Sequence, residues 1–125
     1  MAKETKISGH VRGYDSDVQT RFQRFSIDKT ITENAQGNIK IAYGSHDVNI
    51  MPSGLAFAQA VMIAPDNDIN VKIGGSTANA SLDIKGDGIF ILTGSLTTIT
   101  LSNRGAISGV TPATPLVNVI YDISG

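Results

Sequence analysis

The stretch that decides the fold is residues 69–103, INVKIGGSTANASLDIKGDGIFILTGSLTTITLSN. Its apolar residues are mostly β-branched or aliphatic, and each apolar run ends at glycine, asparagine or aspartate. Ile69, Val71 and Ile73 alternate with polar residues, which is the two-residue period of a strand with one buried face. The stretch therefore predicts several short β-strands that are separated by tight turns.

Three further features of this stretch carry specific predictions. Residues 85–88, Lys-Gly-Asp-Gly, predict a tight hairpin turn with positive φ at the glycines. Residues 89–92 are continuously apolar, which predicts a strand buried on both faces with Phe90 in the core. The alternation over residues 96–101 predicts one more strand, which ends before the polar pair that follows it.

The first part of the chain shows the same alternation of strands and turns. Residues 5–11 predict a short edge strand limited by glycines, and residues 18–32 predict a long strand or a bent strand pair. Phe22 and Phe25 are three positions apart, so either a bulge lies between them or the two rings face opposite sides. Phe25, Ile27 and Ile31 have the same parity, and that side of the strand is predicted to face the core.

The remaining strands are predicted at residues 39–43, 48–50, 55–64 and 116–121. Alanines in residues 55–64 would also allow a helix of about ten residues. Clean alternation and the flanking Pro-Ser-Gly and Pro-Asp-Asn turns favour a strand there. Brief pairing is expected at residues 106–110, and a loop or edge at residues 111–115, because two prolines remove two backbone donors.

Together these patterns predict an all-β protein, a single-domain antiparallel β-sandwich that is jelly-roll-like, with roughly eight to ten strands and little or no helix. Residues 1–13 are expected to form an N-terminal arm or edge strand, and residues 14–125 the sandwich domain. At 125 residues the chain is long enough to bury a core without disulfides or metal.

Composition excludes several classes of function. The chain has no cysteine, so it has no thiol nucleophile and no thiolate metal site. Ten basic and eleven acidic residues give a net charge of −1, which supplies no general attraction to nucleic acid or to an anionic membrane. The N-terminus lacks an apolar segment of the secretory type, and no apolar run approaches the roughly 20 residues of a spanning helix.

The candidate catalytic and metal-binding residues all have simpler interpretations. Asp66 and Asp68 offer oxygen ligands to calcium, but they lack the spaced ligands of a calcium loop, so a turn is favoured. The pair of aspartates at positions 15 and 17 has no base or nucleophile placed nearby. Ser45, His46 and Asp47 are consecutive, so neighbours would point to opposite faces and cannot align as a triad. We therefore expect no catalytic, cofactor-binding or metal-binding residue, and no enzyme activity.

A weak basic cluster accompanies the two phenylalanines. Arg12, Arg21, Arg24 and Lys29 lie close to them in sequence, and such side chains can stack on a nucleic-acid strand. The near-neutral chain favours a solvated face or a protein interface instead. Neither nucleic acid nor membrane is expected as a partner.

Three segments, 71–75 (VKIGG), 88–94 (GIFILTG) and 99–103 (ITLSN), resemble strand motifs of small β-sandwich structural proteins in the virions of tailed bacteriophages. The resemblance extends from Pro65 onward. It implies a structural role on the particle, as a capsid decoration or cement protein or as a tail or fibre component. It also implies synthesis in the host cytoplasm and a final location in the virion. No functional residue is transferred by it.

Two segments are expected to mediate assembly: the N-terminal arm, residues 2–13, and the proline-containing loop, residues 111–115. The arm carries Ile7 and Val11 among polar residues and glycines, which is enough to add a strand to a neighbour's edge. The expected partners are further copies of the chain, as a homo-oligomer and by preference a trimer, and a major capsid or tail protein. A carbohydrate-binding or receptor-binding module is the alternative, although the chain has no tryptophan. The candidate interface residues are Thr5, Ile7, Val11, Thr111, Pro112 and Pro115.

Overall fold

The structure, a computed structural model, describes residues 3–75, 79–103 and 116–125. Within these ranges the chain forms ten antiparallel β-strands and no helix, which confirms the all-β prediction. The strands are β1 (Lys3–Asp15), β2 (Val18–Ile31), β3 (Asn34–Ala42), β4 (Val48–Asn49), β5 (Ala58–Pro65), β6 (Ile69–Gly74), β7 (Asn79–Ile84), β8 (Phe90–Leu96), β9 (Thr98–Ser102) and β10 (Leu116–Ser124).

Eight of these strands form a sandwich of two four-stranded sheets. The first sheet has the order β3-β10-β5-β8, and the second has the order β4-β9-β6-β7. Consecutive strands alternate between the two sheets, except that β6 and β7 are neighbours in the second. Eight strands interleaved in this way between two sheets form a jelly roll.

The two remaining strands, β1 and β2, form a two-stranded sheet of their own, which we call the ribbon. They pair from Lys3 opposite Ile31 to Asp15 opposite Val18, with one irregularity between Gly13 and Tyr14. The ribbon is therefore an antiparallel hairpin that runs the full length of both strands. The predicted first strand was too short, because the glycines within it do not interrupt the pairing.

The tip and the base of the ribbon have different supports. At the tip, Ser16 and Asp17 both have positive φ, 48° and 70°, which suits a two-residue turn between twisted strands. At the base, the backbone amides of Thr32 and Glu33 donate to the carbonyl oxygen of Gly125, at 2.7 and 2.9 Å. The base is thus joined to the end of the sandwich, whereas the tip is closed only by its own turn.

The core lies between the inner faces of the two sheets. Val71 and Leu101 are direct partners on β6 and β9, and both are fully buried. Ile63, Val119 and Ile123 on the first sheet are likewise buried in the same cluster. Along each strand, every second side chain points toward the other sheet. The apolar residues that recur with a two-residue period therefore form the inner faces of the sandwich.

The turn at residues 85–88 exists, but it does not make a hairpin. The amide of Gly88 donates to the carbonyl of Lys85 at 2.9 Å, and the positive φ, 63°, belongs to Asp87 rather than to a glycine. The turn carries the chain from β7 in the second sheet to β8 in the first. The hairpin prediction was wrong because a tight turn in a sandwich can also connect the two layers.

The apolar run at residues 89–92 is less buried than predicted. Ile89 is 64% exposed, and Phe90 is half-buried against the core rather than enclosed in it. The reason is that β8 is the edge strand of the first sheet, so it has a partner on one side only. Leu96 ends β8, and a separate strand, β9, begins at Thr98 in the other sheet.

Residues 55–64 do form a strand, β5, although it begins only at Ala58. The question about the two phenylalanines is also resolved: Phe22 pairs with Arg12 and Phe25 with Gly9 in an unbroken register, so their rings face opposite sides of the ribbon. Of the three residues predicted to face the core, Ile31 is buried and Ile27 is half-buried, but Phe25 is 38% exposed. The predictions for residues 106–115 lie outside the described residues.

Candidate interaction surface

The outer part of the ribbon, residues 9–25, is covered by nothing else in the described chain. Apart from Gly9 and Gly13, every residue in this range is exposed. At about 3.4 Å per residue, seven residues from 9 to 15 extend roughly 20 Å. An isolated two-stranded hairpin is at best marginally stable in water. We call this part the outer ribbon, and it is the strongest candidate for a contact with another molecule.

One side of the outer ribbon is a cluster of cations around an aromatic ring, which we call the arginine face. His10 lies opposite Arg24 and Arg12 lies opposite Phe22, so the four side chains share a side. The guanidinium carbons of Arg12 and Arg24 lie 5.4 and 5.5 Å from the centroid of the Phe22 ring, and the His10 ring lies 5.7 Å from it. The two guanidinium distances are cation–π distances, and these contacts hold the arginines in defined positions.

The opposite side, the apolar face, carries Phe25 and Val11. The ring of Phe25 lies against Gly9, so close that a Cβ at that glycine would be only 2.7 Å from it. In the same way the side chain of Arg21 lies over Gly13. Val11 is 53% exposed between these two contacts. The glycines in β1 therefore allow two long side chains of β2 to cross the strand pair.

The positive charge of the outer ribbon is not neutralised by ion pairs. Within the described ranges, the three ion pairs all use lysines: Lys3 with Glu33, Lys6 with Glu4, and Lys72 with Asp47. The arginines at positions 12, 21 and 24 thus have no carboxylate within 4.0 Å in that part of the chain. Exposed arginines beside aromatic rings are typical of the residues that interfaces bury.

The structure describes three of the six predicted interface residues. Thr5 and Ile7 are half-buried at the base of the ribbon, where the hydroxyl of Thr5 donates to that of Ser124 at 2.7 Å. Val11 is exposed in the outer ribbon. Thr111, Pro112 and Pro115 lie outside the described residues. Their role in assembly stays a prediction.

The predicted interface did not include the large aromatic and basic residues that are exposed on the outer ribbon. Phe22, Phe25 and the three arginines were noted as a cluster, but they were not included in the predicted interface. The signal that could have identified them is the spacing of the phenylalanines, which places one ring on each side of a regular strand. Their exposure depends on β2 leaving the sandwich, and no feature of β2 itself encodes that.

The base of the ribbon and the first sheet enclose a groove of about 350 Å³. Ile7, Met62 and Ile91 line it, with Ile89 at its rim. The polar side chains at its ribbon end include Lys6 and Ser8. The groove is open, and its apolar lining continues into the apolar face of the outer ribbon.

The residues considered for metal binding serve as turn supports. A carboxylate oxygen of Asp66 accepts the amide of Asn118 at 2.9 Å, and one of Asp68 accepts the amide of Gly86 at 2.9 Å. Among the described residues, no group of three or more histidine, aspartate or glutamate side chains is arranged to hold a metal ion. These aspartates fix the loops at one end of the sandwich.

The serine, histidine and aspartate at positions 45–47 lie in the loop between β3 and β4. A carboxylate oxygen of Asp47 pairs with the ammonium of Lys72 at 3.1 Å, and its amide donates to the hydroxyl of Ser102 at 2.9 Å. His46 is exposed. The aspartate thus orients a lysine and a loop, as a structural residue does.

In the described part of the chain, no helix is long and apolar enough to cross a membrane. Comparison of the chain with protein families, curated proteins and solved structures found no match.

Proposed function

We propose that this chain is a non-enzymatic structural protein of a tailed-bacteriophage virion, a decoration or cement protein that binds the capsid surface as a homo-oligomer. The single observation that carries the proposal is the exposure of the outer ribbon. This segment has 17 residues, 9–25, and both of its sides are exposed. A tail or fibre attachment is the same proposal with a different partner protein.

The chemistry of the outer ribbon supports a protein partner. Arginine and aromatic residues are the types that contribute most binding energy in interfaces. Phe22, with its two stacked arginines, presents a rigid apolar and cationic surface to a partner. Because the ring contacts fix these side chains before binding, less side-chain entropy is lost when the partner covers them.

The body of the protein supports a scaffold role. Jelly rolls occur in viral capsid proteins, in lectins and in cupin enzymes, so the fold alone does not choose among them. Asp47, Asp66 and Asp68 are occupied by loop amides or by a lysine, as described above. A rigid sandwich with one extended ribbon suits a protein that bridges subunits on a particle.

A shortened ribbon tests the proposal. Because Gly9 and Phe25 are direct partners, residues 10–24 can be replaced by a two-residue Asn-Gly turn without changing the register of the base. This variant should keep the β-type circular dichroism and the melting temperature of the sandwich. When mixed with virus particles that lack this protein, the shortened variant should not co-sediment with them, whereas the unmodified chain should.

The control is Thr98→Glu, which adds a charge at an exposed residue of β9 in the second sheet and leaves the ribbon and the first sheet intact. It should bind particles like the unmodified chain. Equal binding by the shortened variant, or failure to find the chain by mass spectrometry in gradient-purified virions, would overturn the proposal.

A further inference from the structure

The outer surface of the first sheet is an apolar strip with acidic neighbours. Val117 and Val119 on β10 point into the core, so Ile120 and Asp122 point outward, and Ile120 is 50% exposed. Across the sheet, Ile120 is paired with Ala64, and Asp122 with Met62, which in turn is paired with Ile91. We call this surface the strip; its apolar residues are Ile120, Ala64, Met62, Ile91 and Ile89.

Carboxylates border the strip at two places. Asp122 lies two residues from Ile120 on the same side of β10. Asp66 and Asp87 line a shallow depression beside Ile120 at the end of the strand. The basic residue Lys40 lies on the neighbouring strand β3, opposite Asn118, which is two residues from Ile120 on the same side of β10. The edge of the strip formed by Asp66 and Asp87 is therefore acidic, whereas Lys40 borders the strip on the β3 side.

The ribbon and the sandwich carry opposite charge. Residues 3–31 contain six lysines and arginines against four aspartates and glutamates, whereas residues 32–125 contain four against seven. Opposite charges on two surfaces of one chain favour contact between the ribbon of one copy and the sandwich of another, because the two surfaces attract each other.

The ribbon already contacts this sheet within one chain. Near its base, Thr5 bonds to Ser124, and Ile7 lines the groove together with Met62 and Ile91. Thr5, Ile7 and Val11 lie on the same side of β1 because they are spaced by even numbers. The side that covers the strip at the base thus continues as the apolar face, which is uncovered.

We propose that the apolar face of one copy's outer ribbon docks on the strip of a second copy. Phe25 and Val11 pack against Ile120 and its apolar neighbours, and Arg21 reaches the acidic edge. This inference rests on the homo-oligomer of the proposed function and names its contact surface. The arginine face stays free for the larger partner.

The geometry of such a contact determines the assembly. The ribbon and the strip are different surfaces, so the contact is heterologous, and each copy gives one ribbon and receives one. A heterologous contact closes into a ring when its rotation permits, and a trimer is the ring that we expect. Each chain then has two such contacts, which doubles the surface that holds it in the ring.

Two variants, each defective in one surface, test the inference by sedimentation velocity. Val11→Glu places a charge on the apolar face, and Ile120→Glu places one in the strip. Both residues are at least half exposed, so circular dichroism and melting should match the unmodified protein. Each variant alone should sediment as a monomer at a concentration at which the unmodified chain forms the ring.

A mixture of the two variants gives the decisive result. The ribbon of the Ile120→Glu protein is intact and so is the strip of the Val11→Glu protein, so the mixture should form a one-to-one dimer that cannot grow. Arg24→Glu, on the opposite side of the ribbon, should still form the ring. If Ile120→Glu fails to fold, Ile120→Ser replaces it.

Three results would overturn the inference: a monomeric unmodified chain, assembly by either variant alone, or a mixture that remains monomeric. Particle binding is measured separately by co-sedimentation. A monomer that still binds particles would overturn this inference and the homo-oligomer, and would leave the structural role on the particle. A ring that binds no particle would support the inference and overturn the proposed role on the particle.

Discussion

The hydroxyl of Thr5 donates a 2.7 Å hydrogen bond to the hydroxyl of Ser124, which ties the first strand to the last. Ser124 is buried, and its own hydroxyl donates to Asp122 at 3.3 Å. The bond joins the base of the ribbon to the first sheet. It is one of the few side-chain bonds that fix the direction in which the ribbon leaves the sandwich.

Removing that bond should destabilise the protein measurably. Thr5→Val keeps the shape of the side chain but deletes the donor, so the free energy of unfolding in urea should fall by about 1 kcal/mol. Thr20→Val is the matched control, since its hydroxyl makes only a 3.4 Å contact with the carbonyl of Gly13 near the exposed tip. Its effect should stay within about 0.5 kcal/mol. Equal effects would contradict the assigned role of Thr5.

Core truncation should be costly at the centre of the sandwich. Leu101→Ala removes a fully buried side chain that faces Val71, and we expect a loss of about 2–5 kcal/mol in urea unfolding. Leu116→Ala, at a residue that is 45% exposed, is the control and should cost less than about 1 kcal/mol. Similar losses for the two variants would place the core elsewhere.

The outer ribbon should open locally without unfolding of the sandwich. Its amides should exchange with deuterium much faster than those of β10, because the ribbon buries little apolar surface. Phe22→Ala removes the ring between Arg12 and Arg24, and should speed ribbon exchange roughly 5- to 30-fold, for about 1–2 kcal/mol of cation–π contact. Val18→Ala is the control, since Val18 is 64% exposed. If Val18→Ala accelerates exchange in the ribbon as much as Phe22→Ala does, the contacts of the two arginines with Phe22 do not stabilise the ribbon.

Metal chelation should leave the melting temperature unchanged. The carboxylates of Asp66 and Asp68 already accept backbone amides, and a metal that stabilised the fold would do so by mass action. Differential scanning calorimetry with and without EDTA measures this directly. A fall of several degrees that added calcium reverses would identify these aspartates as ligands.

Much of the fold follows from local patterns in the sequence. The alternation at Ile69, Val71 and Ile73 is enough to predict β6, since one buried face requires a two-residue period. The same reasoning finds β5 and β10, and the glycine-rich and polar segments between them predict the turns. The exclusion of thiol chemistry also follows from composition alone.

Pairing partners depend on contacts between distant residues. The turn at residues 85–88 has the composition of a hairpin, yet β7 and β8 lie in different sheets. Phe90 stands in an apolar run, yet β8 is an edge strand, which leaves Ile89 largely exposed. A local sequence pattern indicates whether each residue favours burial, but it does not indicate which strand lies at the edge of a sheet.

The sequence by itself determined that this protein is all-β, that its strands have one apolar side, and where most of its turns lie, because these properties depend on neighbours within a few residues. Only the tertiary structure decided that β1 and β2 leave the sandwich as a ribbon, with Phe22 on one side and Phe25 on the other. The physical reason is that exposure of an apolar residue depends on which distant strands are available to cover it. For the outer ribbon, no strand in the described chain does so.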